Sequence, residues 1–238
     1  MSAIYPSPDH DRASLELNRQ GDRLVSTTGK HGADISLQRL DALDRASLQF
    51  ALASTSNTRC AVDLGCGLGA HSLRLALLGY EVTLIDLLDR SEFCITANGL
   101  LHRQALRLVR KDARQVSDLD LPVVVELLYS QRFLHYLRFE EARLVLERIV
   151  RRMPPGTKAF LSASGIHSEL GEGYPHHQVA VEQRYERLAT PMANKHQIYE
   201  PVCLYELDDL ARLAHRLGLT VERLFASEFG NVKGIFSV

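Results

Sequence analysis

The apolar positions of this chain fall into two alternating rhythms. Short apolar runs recur at 60–64, 81–86, 105–109, 123–129 and 158–163. Each is short enough for a buried strand, and none carries an internal proline that would remove a ladder hydrogen bond. Between them, at 70–78, 91–102 and 139–152, leucines and alanines return at helical spacing. Strands alternating with helices predict an α/β fold with a parallel sheet and crossover helices. Upstream, Leu37, Leu40, Leu43, Leu48 and Leu52 predict an amphipathic helix over 35–52 that packs on the sheet. Pro154-Pro155-Gly156 stops the helix before the fifth strand, because neither proline can supply an interior helix hydrogen bond. A further helix over 207–217 is closed by Gly218. Two last strands, 220–225 and 232–238, then pair across Glu228-Phe229-Gly230-Asn231 as a β-hairpin.

Two stretches depart from this rhythm. In residues 1–35 the prolines at 6 and 8 and the glycines at 21, 29 and 32 interrupt any period, leaving a short helix over 15–24 at most. This reads as a flexible arm or lid, with 36–238 as one α/β domain. Residues 165–201 are rich in His, Tyr, Glu and Gly, with a modest helical stretch at 179–188. Connections longer than about 15 residues in a compact domain are usually functional or disordered, so this segment is expected to cover a substrate.

Charge narrows the function. The 28 basic and 29 acidic residues nearly cancel, so no global field gathers a polyanion or an anionic membrane, and nucleic acid is a disfavoured partner. The arginines at 103, 107, 110 and 114 and Lys111 alternate along a strand and its flanks, which scatters them over different faces. No apolar run approaches the roughly 20 residues that span a bilayer. The four cysteines, at 60, 66, 94 and 203, lack metal-ligand spacing, and no signal segment opens the chain, so a soluble protein of the reducing cytoplasm is expected.

The stretch Asp63-Leu64-Gly65-Cys66-Gly67-Leu68-Gly69 follows the first strand and opens a helix. Its backbone N–H groups therefore face the carboxyl edge of the sheet, where parallel α/β folds bind ligands. By spacing alone it suits a dinucleotide as well, through Gly65, Gly67 and Ala70. Asp63 argues otherwise, since a carboxylate there repels a pyrophosphate and suits an ammonium or a sulfonium. The second strand ends in Asp86, placed to accept the hydroxyls of a ribose, and the third is followed by Asp112, placed to take an adenine amino proton. Three acids at successive strand ends form a coherent site for adenosine and a cation.

With VDLGCGLG at 62–69, VTLID at 82–86, KDA at 111–113 and YSQRFLHYL at 129–137, the chain resembles the class I S-adenosylmethionine-dependent methyltransferases over roughly residues 40–165. The resemblance implies a Rossmann-like sheet of seven strands, mostly parallel, with helices on both faces and the last strand inserted antiparallel. It implies S-adenosylmethionine as cofactor, held by Asp63, Gly65, Gly67, Asp86 and Asp112, with Cys66, Leu87, Ala113 and Ser130 beside them. It also implies methyl transfer to a small-molecule O, N or S nucleophile. The fourth strand runs into Tyr129-Ser130-Gln131-Arg132, without the Asn/Asp-Pro-Pro-aromatic element of enzymes that methylate nucleic-acid amino groups.

An in-line displacement at a sulfonium needs alignment more than a dedicated base, so catalytic groups are the least legible part of such a sequence. His135, Tyr174, His176 and His177 are the weak candidates. The histidines at 167, 176, 177 and 196 fit no compact metal motif, and no metal is expected. A sensor or partner subunit that binds the cofactor without turnover, and less so an NAD-dependent oxidoreductase, are the competing readings; a homodimer is left open.

Overall fold

The computed structural model describes residues 40–238 and the backbone of two short paired strands, β1 (Val25–Ser26) and β2 (Ala33–Asp34). Most of the expected arm and the start of the expected 35–52 helix lie outside the described residues.

The remaining strands form one sheet: β3 (Cys60–Leu64), β4 (Glu81–Asp86), β5 (Leu106–Arg110), β6 (Leu127–Ser130), β7 (Lys158–Ala163), β8 (Thr220–Ala226) and β9 (Val232–Ser237). Its order is β5-β4-β3-β6-β7-β9-β8. β3 to β7 run parallel, and β9 enters antiparallel between β7 and β8. The fold is Rossmann-like α/β.

Alternation along the strands distributes two cores. Ala61, Leu127 and Tyr129 face the helices α1 (Ala42–Ala53), α2 (Ala70–Leu77) and α3 (Ser91–Leu101), whose Leu43, Leu75 and Cys94 pack there. Val62, Leu64 and Leu128 point to the opposite face, against Phe139, Leu146 and Ile149 of α4 (Phe139–Val150) and Leu210 and Leu213 of α6 (Leu207–Arg216). Because β3 continues outward to β4 and β5 before the chain returns to lay β6 on its other side, the strand order reverses between β3 and β6. Such a switch point opens a crevice at the carboxyl edge.

The structure corrects three expectations. α1 begins at Ala42, where the Asp41 carboxylate accepts from the N–H groups of Leu43 and Asp44 and the Asp44 carboxylate reaches back to the Asp41 N–H. This reciprocal cap fixes the helix start. The fourth strand is not 123–129 but Leu127–Ser130. Val123 is exposed, and the Val125 N–H donates to Arg152 O at the end of the α4 turn, so the valine run is a loop that only resembles a strand.

Residues 179–188 form turns rather than a helix. The buried Arg184 guanidinium donates to Val179 O and Leu204 O and pairs with Asp209 at 2.8 Å. Val179 O is thus taken by a side chain instead of the Gln183 N–H, which turns tightly to Ala180 O. The helix of this segment is α5 (Thr190–His196), with Pro191 in its first turn, where a missing N–H costs nothing. Ile166, Leu170, Leu188, Ile198 and Val202 give the segment a small core of its own.

Candidate active site

A cavity of about 620 Å³ opens at the switch point and is lined from the ends of β3, β4, β5 and β6, from the start of α1 and from the 165–201 segment. The glycine turn forms one wall. Gly65, Gly67 and Gly69 all hold left-handed φ values, +71°, +56° and +77°, a region that a Cβ disfavours. At Gly65 there is no room for one either, since a Cβ would lie 2.3 Å from the Phe133 ring.

The acids expected from the sequence meet on this cavity. Asp86 accepts from the N–H groups of Gly67 and Leu88, each at 3.0 Å and each on a different oxygen. Oδ1 keeps a lone pair for a ligand hydroxyl, while on Oδ2 the only further donor among the described residues is the weak Cys66 thiol at 4.0 Å. Asp63 is buried and accepts from the Ser72 hydroxyl at 2.5 Å. Asp112 lines the cavity beyond β5 and is paired with Arg114 at 2.6 Å. Cys66, Leu87 and Ala113 also line it. Burial, reinforced by the charges of Asp63 and Asp86, raises the Cys66 thiol well above its ordinary range, which keeps it protonated and unsuited to nucleophilic work.

Ser130 is placed differently. It is fully buried, does not line the cavity, and donates to Leu64 O at 3.0 Å, which ties the ends of β3 and β6 together. Of the four catalytic candidates, only His135 lines the cavity. Burial, with Arg132 nearby, pushes its imidazole down to about 3, so it is a neutral hydrogen-bonding group and a weak base at neutral pH. Tyr174 is buried in the core of the 165–201 segment, donating to Val202 O, and His176 and His177 lie outside the cavity. His167 and His196 of the same segment do reach it.

A second polar cluster on the cavity wall joins Tyr129 to Asp44 and His71, residues to which the sequence assigned no role. Tyr129 at the end of β6 donates to Asp44 at 2.5 Å, and its ring stacks on His71 with centroids 3.7 Å apart. His71 Nδ1 lies 3.3 Å from Asp44, and its Nε2 lies 2.9 Å from the Ser47 hydroxyl. The order Ser47–His71–Asp44 imitates a nucleophile–base–acid relay. Yet Ser47 is fully buried and donates to Asp44 O at 2.8 Å, so its hydroxyl is structural. Nearby, Asp41 accepts from both Gln131 and the buried Lys233 of β9.

The family model described as tellurite resistance protein TehB matches residues 50–169, which is half of the chain. The chain belongs to this TehB family, among the class I S-adenosylmethionine-dependent methyltransferases. No curated protein matches it significantly. Among solved structures, it is similar to the magnesium protoporphyrin IX methyltransferase of Synechocystis with bound SAH, at 15% identity and TM-score 0.56, over 82% of this chain and 80% of that one. It is also similar to the 1,6-didemethyltoxoflavin-N1-methyltransferase of Burkholderia thailandensis, solved with its substrate and S-adenosylhomocysteine, at 14% identity and TM-score 0.59, over 82% and 78%. An O-methyltransferase family protein of the same organism matches at 15% identity and TM-score 0.54, but this chain spans only 56% of its length. At such identities the likeness is one of fold.

The TehB-family match thus takes in the glycine turn and all three strand-end acids, and ends before α5 and the C-terminal hairpin. Asp41, Asp44 and Lys233, which face the same cavity, fall outside it. Among the described residues no group of three His, Cys, Asp or Glu is arranged to hold a metal ion, and no helix is long and apolar enough to cross a membrane.

Proposed function

We propose that this protein transfers the methyl group of S-adenosylmethionine to a small-molecule acceptor. One observation carries the reading. The carboxylates of Asp63, Asp86 and Asp112, from three adjacent parallel strands, open on one cavity beside a turn of left-handed glycines. That donor set fits the cofactor's needs: acceptors for ribose hydroxyls and an adenine amino group, negative charge toward a sulfonium, and backbone free of Cβ atoms for close approach. Asp86 would hold the ribose, Asp112 would face the adenine, and Asp63 with Gly65, Cys66 and Gly67 would line the methionyl part, next to Leu87 and Ala113. Ser130 acts on this site from behind, by fixing the β3 and β6 ends.

The cofactor, when bound, supplies an activated methyl group, and the chain's own residues align the acceptor and exclude water. His135 and Tyr129 are both uncharged at neutral pH, the first lowered by burial and Arg132, the second raised by burial and the charge of Asp44. They serve as hydrogen-bonding walls. The 165–201 segment, through His167, Glu169 and His196, covers the acceptor end.

Calorimetric titration with S-adenosylmethionine, S-adenosylhomocysteine and NAD tests the cofactor. Binding of the first two is expected; tight binding of NAD alone would sink the reading. Consumption of S-adenosylmethionine with a cell-extract metabolite pool separates an enzyme from a cofactor-binding sensor.

A further inference from the structure

We propose that the acceptor carries a carboxylate-type anionic group, recognised by Arg132 with Lys233 beside it. This rests on the methyl-transfer reading above and specifies its substrate class. Arg132 lies two residues beyond β6 and holds φ +52°, a left-handed conformation that is strained for a non-glycine residue. The geometry is pinned by its N–H, which donates to Ser162 O of β7 at 3.1 Å. The turn therefore directs a half-buried arginine onto the cavity wall at a place where glycine or asparagine would be cheaper.

Among the described residues the Arg132 guanidinium has no ion-pair or side-chain hydrogen-bond partner; of the other cations on the cavity, Arg45 is tied to Leu40 O, Arg223 is exposed and lies over the Phe225 ring, and three are matched by carboxylates. Arg114 is matched by Asp112, Lys111 by Asp120 and Lys233 by Asp41. The neighbouring acids are likewise committed: Asp44 to His71 and Tyr129, and Glu169 to Lys195 and His196. Glu228 is exposed on the loop at the mouth. Asp41 is thus taken by Lys233 and Gln131, no described carboxylate is paired with Arg132, and the charge of Arg132 is felt at both Lys233 and His135. An incoming carboxylate would complete this two-cation wall, and the planar guanidinium can grip it with two parallel N–H bonds. Phe133 and Tyr136, whose rings lie 6.5 Å apart on the cavity, give such an acceptor an apolar, ring-lined berth.

The test uses benzoate and its neutral isostere benzamide as probes, titrated by calorimetry into the full chain with and without S-adenosylhomocysteine. Benzoate is expected to bind at least tenfold more tightly than benzamide. Arg132→Gln should abolish that preference while leaving S-adenosylhomocysteine affinity within twofold. A wild-type protein without the preference, including one that binds neither probe, overturns the proposal, and this measurement does not depend on the variant folding. A tenfold loss of S-adenosylhomocysteine affinity in Arg132→Gln with the benzoate preference intact also overturns it, by assigning Arg132 to the cofactor's own carboxylate. Failure of S-adenosylhomocysteine to bind at all would instead overturn the methyl-transfer reading, and the preference of the unloaded protein would still decide the anion site.

Discussion

Asp86 and Asp44 show how differently two carboxylates on one cavity can be used. Asp86 accepts one N–H on each oxygen and keeps capacity for a ligand. Its replacement by alanine should weaken S-adenosylmethionine binding by about 1–3 kcal/mol, the usual loss for a hydrogen bond to a charged group; unchanged calorimetric affinity would displace the ribose from this residue. Asp44 is almost fully buried and committed. Burial raises its carboxyl, but bonds from His71, Tyr129 and the Asp41 N–H outweigh that and hold it below its ordinary value of 3.8. A folded value below the unfolded one adds stability above pH 3.8 that is lost as the pH falls through the folded value. Tyr129→Phe removes one of those bonds and raises the folded value. The variant should lose about 1–2 kcal/mol at neutral pH and begin acid unfolding at a higher pH than the wild type, as thermal melts across pH 2 to 7 would show.

At the scale of elements, the β3–turn–α2 unit is the most tightly determined part of the site. Gly65→Ala must place a Cβ at positive φ and against Phe133 at once. It should cost roughly 1–3 kcal/mol of stability, measured by denaturant unfolding, and Gly65→Ala with Phe133→Ala should recover little of it, because the Phe133 Cβ itself lies 2.5 Å from the added one. This unit was readable from the chain because a strand, a turn that demands glycine and a helix are all local. β6 and the 179–188 segment were not. The valines of 123–125 and the helical spacing near 180 are local signals that distant partners override: Arg152 O takes the Val125 N–H, and Asp209 and Leu204 hold Arg184.

Across the whole molecule, the 165–201 segment is attached to the α/β body through Arg184 and Asp209, both nearly inaccessible. Breaking a buried ion pair strands the remaining charge. Arg184→Met should therefore destabilise the fold by about 3 kcal/mol, near the lower end of the range because Arg212 also pairs with Asp209 at 3.1 Å. A shift in the denaturant midpoint measures it, and a wild-type midpoint would show that the segment is held by its apolar core and its other polar ties, such as those of Glu182 to Arg212 and Arg216.

The sequence by itself determined the parallel strands with their crossover helices, the C-terminal hairpin, the glycine turn and the three strand-end acids, because each depends on short-range periodicity or on the order of elements along the chain; the antiparallel insertion of the last strand was implied by the family resemblance alone. Only the tertiary structure decided which polar side chains share the cavity. Lys233 and Asp41 stand at opposite ends of the described chain, and Asp44, His71 and Tyr129 come from three separate elements. No spacing rule links such residues; their contacts exist because a sheet whose strand order reverses at β3 and β6 brings the ends of distant segments to one crevice.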